Sequence, residues 1–171
     1  MTCSPVVIGL DLSLTGTGIA DHKGVTSTVV TTSKQPIGKR LELIHDAIRQ
    51  KLVLADLVVI EDLPTHAHAA GLTGKVHGVA HLACWHAQVP VLTITPATLK
   101  KYATGRGNAD KTAMAIAALK RSGREFASDD ECDAWWLRLA GLDLLGHPAV
   151  VLPQTQRDAL AKLTLPTEVP A

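Results

Sequence analysis

Four acidic residues have the types and positions to assemble a site from distant parts of the chain. They are Asp11, Glu61, Asp130 and Asp133. The first two each follow an aliphatic run suited to a buried strand, and an ionised acid at such a strand end needs a partner or a cation. The other two are three positions apart near the start of a helical pattern, which puts both on one helix face. The later acids are expected to converge on Asp11.

Such a cluster of acids indicates metal chemistry. Four carboxylates cannot hold their charge together without cations, and oxygen-only ligands select Mg²⁺ or Mn²⁺ rather than zinc. Two such ions about 3.5 to 4 Å apart would activate a water and stabilise the leaving oxygen of a phosphodiester. The pattern therefore predicts hydrolytic phosphoryl transfer. For each acid alone the alternative is a turn or helix cap, and Asp129 is interpreted as such a cap.

Basic residues cluster in the polar stretch that begins at Pro96. They are Lys100, Lys101, Arg106 and Lys111. Gly105 and Gly107 lie among them and would let the backbone approach a phosphate, which favours DNA contact over an ordinary solvated face. Because the net charge of the 171-residue chain is only +1, this interpretation depends on the local cluster.

Composition narrows the class of protein. A chain of 171 residues with 46% hydrophobic and 3% aromatic content predicts one globular domain with an aliphatic core. Three widely spaced cysteines, Cys3, Cys84 and Cys132, form no CxxC motif and are expected to be free thiols in a reducing compartment. With no signal-peptide pattern and no apolar run of about 18 residues, we expect a cytoplasmic protein with no membrane partner.

The elements that must position these residues alternate in an α/β pattern. Strands are predicted at residues 6–10, 17–20, 25–32, 57–62 and 89–95, and helices at 39–54, 72–88, 110–122 and 131–145. Asn108 or Asp110 is the predicted cap of the third helix, and Ser128 or Asp129 that of the fourth. If the helical crossover places the fourth strand parallel to the first, Asp11 and Glu61 lie side by side.

The C-terminal part is predicted to be an extension. Residues 1–147 form the main domain, and residues 148–171 carry a short helix that ends near Leu163 and an end that is disordered from Pro166. Thr155 and Asp158 form the pattern of a capping box for that helix.

These motifs resemble the RuvC-type Holliday-junction resolvases. The resemblance spans residues 6–144 and is carried in order by Ile8-Gly9-Leu10-Asp11 with its Thr/Gly turn, Val59-Ile60-Glu61, Thr95-Pro96 followed by Lys100, the run from Gly105 to Lys111, and Asp130-Glu131-Cys132-Asp133-Ala134. It implies an RNase H-like fold with a central five-stranded mixed β-sheet flanked by α-helices. It also implies a homodimer and Mg²⁺-dependent paired nicking of four-way DNA junctions in recombination and repair.

The resemblance also implies roles for individual residues. The four acids would bind the metal, and Lys100 and Lys111 would lie near the scissile phosphate, with Lys111 in the catalytic set. The helix over 72–88 would match the dimer helix, where Gly74 and Gly78 permit close packing.

The chain departs from the family at two places. Where the family often has a base-packing aromatic residue after the second acid, this chain has Leu63-Pro64-Thr65-His66, and His66 or His68 would take that role against DNA. The Trp135-Trp136 doublet is bulky for its position after the last acid and is interpreted as core or interface.

A histidine and cysteine pattern offers an alternative site. His77, His81 and Cys84 have the i, i+4, i+7 spacing of one helix face and could bind zinc, but no fourth ligand is evident. A partly buried interface face, with His81 at the dimer contact, is the favoured interpretation.

Other functions remain open from the sequence. A nuclease with broader action on branched DNA, such as forks and flaps, fits the same residues. The run from Asp11 to Gly18 also resembles the first phosphate loop of actin and sugar-kinase ATPases, although that fold needs a second lobe. A non-catalytic junction binder would be expected to have an incomplete set of acids, and none of the four is missing.

Overall fold

The computed structural model describes residues 4–63 and 70–166 of the chain. Five strands form one sheet in the order β3-β2-β1-β4-β5. The strands are β1 Val7–Asp11, β2 Gly16–Ala20, β3 Thr26–Val30, β4 Leu57–Glu61 and β5 Val91–Ile94. The helices are α1 Ile37–Lys51, α2 Ala70–His86, α3 Pro96–Thr104, α4 Lys111–Ser122, α5 Asp129–Leu144 and α6 Gln154–Arg157, which continues as a 3₁₀ turn at Asp158–Leu160.

The sheet is mixed, as predicted. β1 pairs antiparallel with β2 and parallel with β4, and β4 pairs parallel with β5. In the β1–β4 register Leu10 lies opposite Ile60. Asp11 and Glu61, the next residue of each strand, therefore emerge at the same edge of the sheet.

Two hydrophobic cores cover the two faces of the sheet. Ile8 and Leu10 of β1 point to the face packed by α1 and α2, and Val7 points to the face packed by α5. The core on the α5 side of the sheet also contains buried side chains from α3 and α4. Because strand residues alternate between faces, β1 is buried on both sides, which its uninterrupted aliphatic sequence predicted.

The backbone of helix α5 packs directly against the backbones of β1 and β2. A Cβ atom at Gly9 would overlap the carbonyl oxygen of Ala134 and come within 2.6 Å of the amide nitrogen of Arg138. A Cβ atom at Gly18 would overlap the carbonyl oxygen of Asp130. Two strand glycines thus let α5 rest directly on the sheet and fix the position of its first turn.

Helix α3 was not predicted, because the sequence pattern was interpreted as a polar stretch. Pro96 occupies its first turn and the Thr95 hydroxyl accepts a hydrogen bond from the Thr98 amide. For α4 and α5, one residue of each predicted pair of caps is the N-cap. Ser128, not Asp129, is the N-cap of α5, since its hydroxyl accepts from the Glu131 amide. The cap of α4 is Asp110 rather than Asn108.

The C-terminal segment packs on the main core. Leu152 and Leu160 are buried in the same cluster as the residues of α5. The capping box at Thr155 was wrong: α6 begins after Pro153 with no side-chain cap. Residues 167–171, which include most of the predicted disordered end, lie outside the described residues, as do His66 and His68. The division at residue 147 remains a prediction.

The tryptophan doublet lies in the core, as expected. Trp135 and Trp136 are both buried, Trp136 meets Tyr102 edge-on at 6.0 Å, and Trp135 contacts Phe126 at 5.4 Å. Cys84 and Cys132 are buried free thiols, whereas Cys3 lies outside the described residues. Over the described ranges, no helix has the length and apolarity that crossing a membrane requires.

Candidate active site

Two of the predicted acids are placed by the sheet. Asp11 ends β1 and Glu61 ends β4, and both side chains are only partly exposed. The two strands are adjacent and parallel, so the two carboxyl groups share one edge. This confirms the predicted juxtaposition of the first two acids.

The other two acids lie near the start of α5, Asp130 in its first turn and Asp133 three residues later. Threonines on β3 anchor that turn, because the Thr26 hydroxyl donates to a Glu131 carboxylate oxygen at 2.9 Å and the Thr28 hydroxyl lies 3.0 Å from the Ser128 hydroxyl. Sequence reasoning missed this pair of threonines. The signal was present in the alternation of residues along β3, which puts positions 26 and 28 on one face.

The four carboxyl groups are close enough to affect one another's ionisation. Burial, followed by the charges of Glu61, Asp133 and Asp130, raises the pKa of Asp11 to about 8. Burial and the charge of Asp133 raise the pKa of Glu61 to about 7. Burial raises the pKa of Asp133 to about 6, and burial also raises the pKa of Asp130. The site therefore concentrates negative charge that the protein alone does not neutralise.

Two of the predicted basic residues reach the acids. The charge of Lys100, on α3, lowers the pKa values of Glu61 and Asp133, opposing their burial. The charge of Lys111, at the start of α4, acts in the same direction on Asp11, Asp130 and Asp133. The Lys111 ammonium also pairs with the carboxylate of Asp129. Asp129 is thus the ion-pair partner of a site lysine rather than a cap.

The remaining predicted DNA contacts lie further out. Lys101 is exposed on α3, and Arg106 is exposed in the loop between α3 and α4. Neither contributes to the pKa shifts of the acids. The structure therefore separates the predicted basic cluster into an inner pair, Lys100 and Lys111, and an outer pair.

The hydroxyl-rich turn after β1 borders the acids. Ser13 and Thr15 line a cavity of about 460 Å³ together with Asp130 and Glu131. The Ser13 hydroxyl also accepts from the Gly16 amide at 3.0 Å, so it supports the turn as well. These hydroxyls therefore suit both support of the turn and contact with a phosphate in the cavity.

The donor set of the site fits a hard divalent cation. All four groups are carboxylates, and among the described residues none forms a hydrogen bond to a side-chain oxygen of Asp11, Glu61, Asp130 or Asp133. Anionic oxygens without protein partners are the ligands that such cations select. In the described part of the chain no three Asp, Glu, His or Cys side chains already stand in a metal-binding group. A bound cation would thus draw the four acids together.

The predicted zinc pattern and dimer residues lie on α2. His77 and Cys84 are buried while His81 is exposed, and among the described residues the three do not form a metal-binding group. Gly74 is partly exposed and Gly78 is exposed, and a Cβ atom at either would meet nothing within 4 Å. The two glycines therefore serve no packing role within the described part of the chain.

Comparison with known proteins decides the family. The model of the family "Crossover junction endodeoxyribonuclease RuvC" matches residues 7–135, which include both strand acids and both helix acids. The chain belongs to the RuvC family. Among curated RuvC proteins, that of Thermomicrobium roseum is 30% identical over 119 residues, covering 63% of this chain and 73% of the relative. That of Carboxydothermus hydrogenoformans is 28% identical over 153 residues, covering 82% and 97%.

Solved structures agree on the RuvC fold. RuvC from Thermus thermophilus matches with a TM-score of 0.66 at 22% identity, over 85% of this chain and 99% of the solved chain. The same organism's RuvC in complex with a Holliday junction substrate matches with a TM-score of 0.69 at 24% identity, over 86% and 99%. The RNase H-like fold is thereby confirmed, and the chain is a metal-dependent nuclease of the RuvC type. The ATP-binding alternative receives no support from these matches.

Proposed function

We propose that this protein resolves Holliday junctions by hydrolysing one phosphodiester in each of two strands, with two Mg²⁺ ions, or Mn²⁺, per active site. The observation that carries the proposal is the proximity of Asp11, Glu61, Asp130 and Asp133 near the ends of β1 and β4, where burial raises all four pKa values and the charges of the other three acids raise that of Asp11 further. The family's crossover junction activity supports the choice of substrate.

The chain's own residues have separable tasks. The four acids would hold the cations, which supply an activated water and stabilise the leaving oxygen. Lys100 and Lys111 approach the acids from α3 and α4 and would bind the phosphate that is cut. The ion pair between Lys111 and Asp129 keeps that lysine beside the site before DNA arrives. Lys101, Arg106 and His66 would contact DNA outside this centre.

We also propose that the protein acts as a homodimer joined through α2. The buried side of α2 holds Val76, Ala80 and Ala83, whereas Leu82 and Trp85 are exposed together with the two unpacked glycines at 74 and 78. Exposed apolar residues beside glycines suit contact with a second helix at short distance. Two sites in one dimer would account for symmetric nicks in a four-way junction.

The test is cleavage of labelled four-way junction, Y-fork and linear duplex with Mg²⁺ or Mn²⁺. We expect paired symmetric nicks in the junction, and loss of cleavage by about 10³-fold or more in Asp11→Asn with junction binding retained. Glu125→Gln is the matched control, because Glu125 is an exposed acid that does not act on the pKa values of the four acids and should leave cleavage unchanged.

The other outcomes separate the alternatives. Equal cutting of forks and junctions would show a general nuclease for branched DNA. Tight junction binding without cleavage by any divalent metal would show a non-catalytic binder. Full activity of Asp11→Asn would overturn the assignment of the site.

A further inference from the structure

A second cluster of basic residues lies along α4 and in the loop that precedes it. The end of α3, one side of α4 and the C-terminal segment enclose a cavity of about 480 Å³. Its lining residues are Ala103, Thr104, Arg106, Ala113, Ile116, Ala117, Lys120, Arg121 and Gln156. The acids described above are not among them, so this cavity is separate from the active site.

The cavity carries concentrated and uncompensated positive charge. Arg106, Lys120 and Arg121 line it, and no acidic residue does. None of the three forms an ion pair with any acidic residue in the described ranges. In a chain whose net charge is only +1, three cations around one cavity are a local excess that an anionic ligand would neutralise.

A buried amide adds a directed polar group. Gln156 is 5% exposed, and its Oε1 accepts from an Arg121 guanidinium nitrogen at 3.5 Å. No described residue accepts a hydrogen bond from its Nε2, and the side chain lines the cavity, so two N–H groups are available to a ligand there. In the described ranges the buried side-chain atom without a partner is Arg138 Nε, so the Gln156 amide is accessible at the cavity surface and can donate to an acceptor from outside the chain.

The C-terminal segment holds that amide in place. The neighbouring Arg157 guanidinium pairs with Asp143 of α5, and the Tyr102 hydroxyl donates to the same carboxylate at 3.2 Å. Leu160 is buried in the core one turn further on. The segment after residue 147 therefore builds one wall of the cavity, which gives it a task beyond covering the core.

The position of the cavity relative to the active site suggests its ligand. Helix α4 begins at Lys111, beside the acids, and Arg121 follows ten positions later, which corresponds to about 15 Å along the helix axis. That length equals about four to five base-pair steps of 3.4 Å. A duplex that presents its scissile phosphate at Lys111 would still be in reach of the cavity.

We propose that this cavity binds the phosphodiester backbone of a duplex arm a few base pairs from the cut. The inference rests on the proposed function, since it assigns an outer contact to the same substrate. Guanidinium, ammonium and amide N–H groups are the donors that proteins use for phosphate oxygens. Such a contact fixes the register of an arm and is independent of base sequence.

The test compares two double variants of equal charge change. Lys120→Gln/Arg121→Gln removes one lysine and one arginine from the cavity, and Lys23→Gln/Arg49→Gln removes the same pair from exposed positions elsewhere. DNA affinity is measured by fluorescence anisotropy in EDTA over a series of salt concentrations, with a four-way junction and with linear duplex. We expect the cavity variant to lose about tenfold in affinity for both DNAs, with a salt slope reduced by about 2.

Two results are expected, and two others would overturn the proposal. The control variant should change affinity by less than about twofold, and the cavity variant should cleave a saturating amount of junction at the wild-type single-turnover rate. Equal losses of DNA affinity in the two double variants would show an effect of net charge alone and would overturn the site. Unchanged DNA affinity in a cavity variant that no longer binds inorganic phosphate, as measured by calorimetry, would also overturn it. Because the duplex measurement needs no cleavage, the result is independent of whether the protein cuts junctions.

Discussion

At the scale of single residues, Asp11 is the acid whose pKa is raised most strongly by burial and by the neighbouring acids. Burial and the neighbouring acids raise its pKa to about 8, so the folded protein holds a proton there that an unfolded chain releases near pH 4. A group whose pKa is higher in the folded state stabilises the fold below its unfolded pKa and loses that contribution as pH rises through the folded value. For Asp11 this contribution to the free energy of unfolding is lost between pH 4 and about pH 8.

This sign leads to a stability prediction for Asp11→Asn. The amide cannot ionise, so at pH 8 and without metal the variant should have a free energy of unfolding higher by about 0.5 to 2 kcal/mol than wild type. At pH 4 the difference should vanish, because Asp11 is then protonated in wild type. Urea denaturation in EDTA at the two pH values measures this, with Glu125→Gln as the control.

Addition of Mg²⁺ should reverse the order of stability at pH 8. A divalent cation favours the ionised carboxylates and stabilises only the wild-type site to its full extent. A variant that is less stable than wild type at pH 8 in EDTA would show that Asp11 is not electrostatically destabilised.

Sequence reasoning predicted the four acids but could not predict which of the basic residues act on them. Asp11, Glu61, Asp130 and Asp133 were identifiable because each has a definite place on a strand end or a helix turn. Lys100 and Lys101 are adjacent in sequence, yet only Lys100 acts on the acids, because α3 turns its neighbour toward solvent. Without a predicted helix there was no basis for separating the two.

At the scale of elements, the contact between α5 and the sheet aligns half of the site. Gly9 and Gly18 admit the helix backbone at Ala134 and Asp130, and no side chain larger than hydrogen fits at either position. This explains why glycines stand within two buried strands, where they otherwise weaken a sheet.

Gly9→Ala should therefore disrupt both stability and activity. The added methyl group overlaps the Ala134 carbonyl, and we expect a loss of about 1 to 3 kcal/mol in unfolding free energy, with weaker cleavage as α5 shifts. Gly38→Ala in α1 is the matched control, because open space surrounds it and alanine should stabilise the helix by about 0.5 to 1 kcal/mol. Thermal and urea denaturation of both variants measure the contrast; equal effects would contradict the close contact.

The missed helix α3 shows how a local signal can be misjudged. The sequence pattern at Pro96 was interpreted only as the beginning of a polar, basic stretch. Pro96 is instead accepted in the first turn of a helix, where its missing N–H is not needed, and Thr95 supplies the cap. The sequence contained both signals, a capping threonine followed by a proline, but they were not recognised as the start of a helix. The β-sheet was predictable because its strands are continuous apolar runs.

At the scale of the whole molecule, the exposed side of α2 provides a test of the proposed dimer. Leu82 is 50% exposed there, and we expect Leu82→Glu to convert a dimer to a monomer by placing a charge in the interface. Light scattering coupled to gel filtration measures the mass. Leu119→Glu is the control, because Leu119 is a leucine 44% exposed on α4 and should leave the dimer intact. A Leu82→Glu protein of unchanged mass would contradict the α2 interface.

The threonine anchors between β3 and α5 join residues from opposite ends of the chain, since Thr26 and Glu131 are 105 positions apart. Contacts of such long sequence separation form slowly and only after a large loop has closed. A ribosome releases the strand that carries Asp11 long before it has made the helix that carries Asp130. A growing chain that has reached only β4 therefore carries Asp11 and Glu61 without Asp130 and Asp133, so the four-carboxylate site cannot form before α5 is made.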